Sequence, residues 1–477
     1  MSNSSLPLVI DLDGTLAKSD GLVDAFLNLI LKSPKLLPGA FKAFRLGRLE
    51  FKTKLDELGA YHPASIPLNN DLVAYLREQH ANGRELHLVT ASPQSVADEV
   101  ASRVGLFHSV TGSSNGVNLK GLNKANFLTE RFPDGFSYAG NDHADLEVWR
   151  RARSIVIVSA PSRVESAASN LGIPVERIFR SRPATLAAWL RLMRIHQWSK
   201  NVLLFVPLVM AQLYTDATAI LHVVLGFVCM GLVASATYII NDLGDLDSDR
   251  RHHTKRFRPL AAAEISAMSG LIFAASLGLA GLLGGLLLDP LFSLTLIGYA
   301  AISIAYSVRI KNIPVLDLFV LGLLYTMRIV MGTALIHVPP SPWLLVFSLF
   351  FFFSLSTAKR HSEIVHAARA GHQGRIPGRG YLVSDSALTL ALGISTSSLA
   401  VLLLFLYVTN DAYPAGAYNH PVWLWAMAPL VFLWTSRIWL KSHRGRLDED
   451  PVSFALRDWP SLLLATLVAL CFVLAVV

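Results

Sequence analysis

Between Leu6 and about Phe179, short apolar runs alternate with stretches whose apolar positions recur at helical spacing. The runs LPLVIDLD (6–13), ELHLVTAS (85–92), FSYAG (136–140) and SIVIVSA (154–160) each end in small or polar residues, as strands of a buried parallel sheet do. VADEVASRVGLF (96–107) and KANFLTERF (124–132) read as helices between them. Alternating strands and helices predict βαβ units in a doubly wound α/β sheet, whose ligands bind at the carboxyl ends of the strands. An inserted helical stretch from about Leu16 to Arg84 reads as a small cap.

A different pattern follows. The stretch RSRPATLAAWLRLMRIHQWSKN (180–201) reads as an amphipathic helix lying at a membrane surface. Pro183 stands near its start, and Arg191, Arg194 and Lys200 are available to lipid headgroups. Beyond it, apolar runs of spanning length recur at about 201–214, 218–240, 265–287, 291–308, 314–336, 342–358, 386–409, 421–439 and 459–477. A spanning helix takes about 20 apolar residues, so about nine transmembrane helices are expected. The expected domains are 1–180, an interfacial linker at 181–200, and an all-α polytopic membrane domain at 201–477.

Composition agrees with this division. Hydrophobic residues make up 52% of the 477 and charged residues 16%, which excludes disorder, collagen and coiled coil. The net charge of +8 is not a nucleic-acid surface, because no basic stripe interleaved with aromatics lies outside the membrane loops. The Lys and Arg residues crowd into alternate loops: Arg250–Arg258, Arg309 and Lys311, Lys359–Arg379, and Arg437–Arg446. The loops around Asp216, Asp289, Pro339 and Asp411 contain neither. Positive-inside bias then puts the first territory and every basic loop in the cytoplasm of a bacterium, with the chain multi-pass in the inner membrane and its C-terminus outside. No secretory leader is expected from MSNSSLPLVIDLDGT. Cys229 and Cys471 both fall in apolar runs and suggest neither a disulfide framework nor a zinc cluster.

Chemistry concentrates at two places. In the first, Asp11-Leu12-Asp13-Gly14-Thr15 ends the first strand. Asp11 reads as a nucleophile and Asp13 as the group that moves a proton at the leaving or attacking oxygen. Mg²⁺ would offset repulsion between carboxylate and phosphate. Thr90 and Ser92 offer hydroxyls to phosphate oxygens, Lys124 offers a neutralising charge, and Asn141, Asp142 and Asp145 could complete the metal site with Asp11 and Asp13. These four elements, in this order, resemble the haloacid dehalogenase (HAD) superfamily. The resemblance implies a Rossmann-like α/β domain with a small helical cap and Mg²⁺-dependent phosphoester hydrolysis through an aspartyl-phosphate. One departure stands out: the family's last motif usually begins Gly-Asp, and here Gly140 precedes Asn141.

The second place is Asn241-Asp242-Leu243-Gly244-Asp245-Leu246-Asp247-Ser248-Asp249, at the end of the second run. Asp242, Asp245 and Asp249 share one face of a helix. Clustered carboxylates repel unless a cation sits among them, and an all-oxygen set suits Mg²⁺ bridged to substrate phosphates. Lys255, Arg256 and Arg258 follow as candidate phosphate contacts. The segment resembles the UbiA superfamily of intramembrane transferases, with its NDxxDxxxD motif. Further matches are His196-Gln197-Trp198-Ser199-Lys200-Asn201, and Ala305-Tyr306-Ser307 with Lys311 and Asp317. Pro259-Leu260-Ala261-Ala262-Ala263 departs slightly from the usual Pro-Leu-Ala-Ala-Gly.

The prenyltransferases of that superfamily carry a second DxxxD motif after the sixth helix. Here the place reads Ser356-Thr357-Ala358-Lys359-Arg360-His361-Ser362-Glu363, and fixed positive charge suits direct contact with a phosphate. With Glu363, this is similar to the decaprenyl-phosphate phosphoribosyltransferase branch. That resemblance implies a polyprenyl phosphate acceptor and a phosphoribosyl pyrophosphate donor. Asp242, Asp245 and Asp249 would hold Mg²⁺ and pyrophosphate, with Lys200, Asn201, Asn241, Lys359 and Arg360 on substrate and Tyr306, Lys311 and Arg328 as further contacts. The HAD-like domain would then remove the ribose 5-phosphate. Two other readings stay open: an aromatic prenyltransferase using a prenyl diphosphate, and a non-catalytic lipid-binding scaffold. A homo-oligomer formed through helix faces is also left open.

Overall fold

The computed structural model describes residues 6–113, 117–181, 183–376, 379–412, 418–447, 454–455 and 457–477. The chain forms two compact units: Met1–Leu192 with Ile239–Phe273, and Met193–Tyr238 with Ala274–Val477. The acidic segment that ends the second apolar run thus groups with the α/β part.

The first unit is built on a six-stranded parallel sheet, ordered β3-β2-β1-β4-β5-β6. The strands are β1 (Leu8–Ile10), β2 (Leu86–Pro93), β3 (Ser109–Ser113), β4 (Ser137–Gly140), β5 (Ser154–Val158) and β6 (Val175–Phe179). Central β1 is fully buried, pairing Leu8 with Leu86 on one side and with Ser137 on the other. Side chains alternate across it: Leu8 and Ile10 enter one apolar cluster, Val9 the opposite one with Tyr138 and Trp149. Because β1, β2 and β4 are parallel and adjacent, their carboxyl ends bring Asp11, Ser92 and Asn141 to one edge.

The four expected strands are present, and the pattern missed β3 and β6. β6 is mostly exposed and β3 partly so, so neither carries a continuous apolar run to read. β6 is anchored instead by an ion pair. Arg84 Nη1 meets Glu176 Oε2 at 2.8 Å, with side-chain exposures of 2% and 11%. Ser137 and Ser154 also donate to Glu176 Oε1 at 2.7 and 2.5 Å. Burial would raise the Glu176 carboxyl, but Arg84 and the two hydroxyls hold it down to about 2. Since that lies below the ordinary value of 4.5, this stabilisation is complete above about pH 4.5 and lost as pH falls through about 2. Arg84→Met leaves a buried carboxylate unpaired and should destabilise the sheet by about 3–5 kcal/mol. Hydrogen exchange of the 137–140 and 154–158 backbone in the full chain checks this; unchanged protection would refute it.

Among the described residues, seven helices are long and apolar enough to cross a membrane: Ala217–Gly244, Ala267–Leu288, Pro290–Val308, Leu316–Leu335, Pro342–Arg369, Val383–Ala412 and Trp459–Val476. Two expected runs take other forms. Of residues 201–214, those up to 210 lie in a 3₁₀ helix, Ile195–Phe205, and a short helix, Val206–Met210, and the rest form turns. Residues 421–439 form a 3₁₀ turn, Pro421–Ala426, and the 17-residue helix Met427–His443. Pro207, Pro421 and Pro429 lack the amide that would carry a helix through their positions. The linker is likewise divided: helix Leu186–Met193 stops at Arg194, whose φ of 52° is left-handed.

In the second unit, Leu316–Leu335 is the inner helix, with 72% of its apolar window buried. It packs on Pro342–Arg369, which in turn packs on the helix Ser386–Tyr407. At Gly393 a Cβ would lie 1.8 Å from the Trp439 ring. Only glycine admits that indole, whose N–H donates to Ser354 Oγ at 3.0 Å.

Candidate functional site

In the α/β unit, Asp11 follows β1 directly and its Oδ1 accepts from Lys124 Nζ at 2.6 Å. Lys124 also donates to Tyr138 Oη at 3.0 Å, and that hydroxyl donates to Asp145 Oδ1 at 2.8 Å. Asp145 Oδ2 accepts the amides of Asn141 and Asp142 at 2.9 and 3.0 Å, so the buried carboxylate shapes the loop after β4. Asn141 Oδ1 accepts from Thr15. Its Nδ2 would be 2.1 Å from any Cβ at Gly14, where φ is +74°. Gly14 is therefore required both for its backbone and for space. Asp142 is exposed and lies 3.4 Å from Lys120.

Asp13 is held by Ser92 Oγ, which donates to Oδ2 at 2.6 Å, and by the Gly21 amide on Oδ1 at 2.9 Å. Burial, with Asp20 nearby, pushes its carboxyl above the ordinary range. The hydroxyls expected to hold phosphate are engaged elsewhere. Thr90 Oγ1 accepts the Ser92 amide, Ser92 serves Asp13, and Ala91 takes their place in the cavity wall. That cavity, about 300 Å³, is lined by Asp11, Asp13, Lys124, Asn141, Asp142 and Asp145, which brings the expected residues of three separate segments together.

The acidic segment folds as the end of helix Ala217–Gly244 followed by a short helix, Leu246–Arg251, with Asp245 at the junction. Asp242 and Asp249 converge on one guanidinium: Arg258 Nη1 lies 3.2 Å from Asp242 Oδ1 and 2.5 Å from Asp249 Oδ2. Asn241 Nδ2 donates to Asp245 Oδ2 at 3.2 Å. Burial raises the Asp249 carboxyl while Arg258 opposes the rise. Lys255 and Arg256 are exposed. The remaining members of the segment face the cap. Arg250 pairs with Asp24 of helix Gly21–Lys32 at 2.8 Å. Asp247 pairs with Arg251 and is held below the usual carboxylate range, against burial, by Ser65 and Arg251.

In the helical unit, Arg328 is buried in the inner helix, and its hydrogen bonds go to neutral oxygens. These are Asn201 Oδ1 at 3.1 Å, Leu324 O at 2.5 Å and Tyr299 Oη at 3.0 Å. Lys200 Nζ and the Arg328 guanidinium both lie over the Tyr325 ring, at 5.7 and 5.3 Å. The buried Asn201 Nδ2 has no hydrogen-bond partner among the described residues. A charge so placed among spanning helices points to an anionic ligand. Arg360 turns out differently. The sequence reading gave it to a phosphate, yet it is neutralised by Asp317, at 3.1 Å, and by Glu363. Tyr381 completes the knot by donating to Asp317 Oδ1 at 2.7 Å. Lys359 is half-buried beside it, and Tyr306 Oη accepts from Arg379 at 3.3 Å.

The profile of the UbiA prenyltransferase family matches residues 202–459. The chain belongs to that family. This UbiA-family protein is 42% identical over 471 residues to uncharacterized protein y4nM of Sinorhizobium fredii, covering 98% of this chain and 91% of the relative. It is 35% identical to nodulation protein NoeC of Azorhizobium caulinodans, over 56% of this chain and 87% of that one. It is also 32% identical to the decaprenyl-phosphate phosphoribosyltransferase of Mycobacterium tuberculosis, over 41% of this chain and 67% of that enzyme. It is a multi-pass membrane protein of a transferase family.

Both carboxylate sets in this UbiA-family chain have the oxygen chemistry that a hard dication takes. Among the described residues, however, no group of three His, Cys, Asp or Glu side chains is drawn together around one point. Lys124 and Arg258 lie between the carboxylates and balance them, so the expected ligands are present without being preassembled. Sequence reasoning overlooked Tyr138, which links Lys124 to Asp145, and the cap residues Arg48 and Lys52 in the cavity wall. Arg48 and Lys52 carry one signal, basic residues four apart, and that spacing is too common to single out.

Proposed function

We propose that this protein is a bifunctional enzyme of the bacterial inner membrane. It transfers 5-phosphoribose from phosphoribosyl pyrophosphate to a polyprenyl phosphate, then removes the 5-phosphate with its α/β domain. The observation that carries this reading is the sharing of one compact unit by two carboxylate sites, joined by the Asp24–Arg250 pair. The sequence similarity to decaprenyl-phosphate phosphoribosyltransferase and the absence of a second DxxxD motif support the donor. The basic loops support a cytoplasmic α/β domain and an outer C-terminus.

Asp242, Asp245 and Asp249 would hold Mg²⁺, whose role is to neutralise charge gathering on pyrophosphate as it departs. Arg258, which pairs with both Asp242 and Asp249, would also take up pyrophosphate oxygens. Arg328, Asn201 and Lys200 would hold the lipid phosphate. One of its oxygens bonds to ribose C1 while the C1–O bond to pyrophosphate breaks; the monoester is already anionic and needs no base. In the α/β site, which Mg²⁺ would join through Asp11, Asn141, Asp142 and Asp145, Asp11 attacks the 5-phosphorus. Asp13 protonates the departing ribose oxygen, then takes a proton from the water that hydrolyses the aspartyl-phosphate.

The test supplies purified full chain with polyprenyl phosphate and either phosphoribosyl pyrophosphate or a prenyl diphosphate, and weighs the lipid products. Ribosylated lipid is expected from the first donor alone. In a parallel reaction given an aromatic quinone-type precursor, release of pyrophosphate from the prenyl diphosphate would instead make the protein an aromatic prenyltransferase, and no turnover with either donor would favour a scaffold. Arg328→Met should lower transfer by about 10- to 150-fold, mainly through KM for the lipid phosphate, because a charge-assisted contact of about 1.5–3 kcal/mol is lost. An unchanged KM would remove Arg328 from the lipid-phosphate site.

A further inference from the structure

The cavity over Asp11 holds more positive charge than one phosphomonoester uses. Arg48, Lys52 and Lys120 line it beside Lys124. Arg48 and Lys52 stand four residues apart on helix Arg48–Glu57, hence on one face one turn apart. Lys52 is 5% exposed, and its ammonium donates to Ala91 O at 2.6 Å, where β2 reaches the cavity wall. Neither residue pairs with a carboxylate among the described residues.

The carboxylates of the cavity are committed elsewhere. Asp13 accepts from Ser92 and Gly21, Asp20 caps its helix on Leu22 and Val23, Asp145 accepts from Tyr138, Asp11 pairs with Lys124, and Asp142 lies against Lys120. Two like charges one turn apart repel, and an ammonium buried on a neutral carbonyl is poorly compensated. Burial holds Lys52 below the usual ammonium range, with Arg48 and Lys120 adding to it and Asp13 and Asp20 only partly opposing it. Such a pair becomes favourable when an anion lies against it. The scissile phosphate is already provided for by Lys124 and the carboxylate set.

We propose that Arg48 and Lys52 form a subsite for a second anionic group, so that the cavity selects small sugar phosphates bearing a further phosphate. This rests on the phosphatase reading above and sharpens it. The product of phosphoribosyl transfer carries a phosphodiester at C1 as well as the monoester at C5, and the subsite would take the diester.

The test compares ribose 5-phosphate with its C1 methyl-phosphodiester derivative, a soluble mimic of the lipid product with a single cleavable monoester. Phosphate release by the full chain should favour the diester by at least tenfold in kcat/KM, chiefly through KM. The preference should fall toward unity in Arg48→Ala and in Lys52→Met; Arg48 is exposed, so its variant separates recognition from folding. Equal kcat/KM for the two compounds in the unaltered protein, or a preference untouched by Arg48→Ala, would overturn the subsite. Calorimetric binding of both compounds to the full-length Asp11→Asn variant separates the two ideas. Tighter binding of the diester without hydrolysis by the unaltered protein keeps the subsite and removes the phosphatase reading. Equal binding removes the subsite.

Discussion

Asp242→Ala is expected to lower phosphoribosyl transfer to polyprenyl phosphate by about 1,000-fold or more. On the proposed reading Asp242 would help hold Mg²⁺, so its loss would withdraw several kcal/mol from the departing pyrophosphate, and about 4 kcal/mol corresponds to 1,000-fold. The choice of Asp242 over Asp249 follows from the geometry. Both bind Arg258, but the Asp249 contact is the shorter, 2.5 Å against 3.2 Å, so Arg258 keeps its better partner when Asp242 is removed. The fold should therefore survive, and 5-phosphate hydrolysis at the α/β site should continue. Mass measurement of the lipid products reads the transfer, and phosphate release from added ribose 5-phosphate reads the hydrolysis. Transfer within tenfold of the unaltered protein would place the metal elsewhere.

The second large effect is expected from Asp11→Asn. The amide keeps the size of the carboxylate and can still accept from Lys124 Nζ, now 2.6 Å from Oδ1, but it cannot form an aspartyl-phosphate. Hydrolysis should fall by about 1,000-fold or more, and the 5-phosphorylated ribosyl lipid should accumulate while its formation continues. If the unaltered protein and the variant make the same ratio of phosphorylated to dephosphorylated lipid, the α/β domain acts on some other phosphate. The two variants divide the chemistry: Asp242→Ala yields no ribosylated lipid, and Asp11→Asn yields it with its 5-phosphate.

Much of the α/β sheet was readable because its central strands are buried on both faces. Leu8, Val9 and Ile10 must all be apolar, and Asp11 just beyond them stands out against the run. The same physics hid β6, whose mostly exposed VERIF is placed by the Glu176–Arg84 pair across 92 residues, beyond any local pattern. In the membrane part, 20-residue apolar runs announced themselves. The prolines that divide 201–214 and 421–439 act through backbone amides, to which hydropathy is blind.

The sequence by itself determined the division into an α/β part and a membrane part, the family, and the two carboxylate motifs. These depend on side-chain burial and on spacing along one strand or helix, both local properties. The tertiary structure decided which charges are available. Lys359 and Arg360 are adjacent in sequence, yet Arg360 is spent on Asp317, 43 residues away. Arg328, one cation in an apolar run, finds neutral oxygens at its guanidinium among the described residues. Asp242 and Asp249 meet on Arg258, and Lys52 reaches from the cap to Ala91. A charge's meaning depends on what opposes it within a few ångströms, and only the folded chain sets that distance.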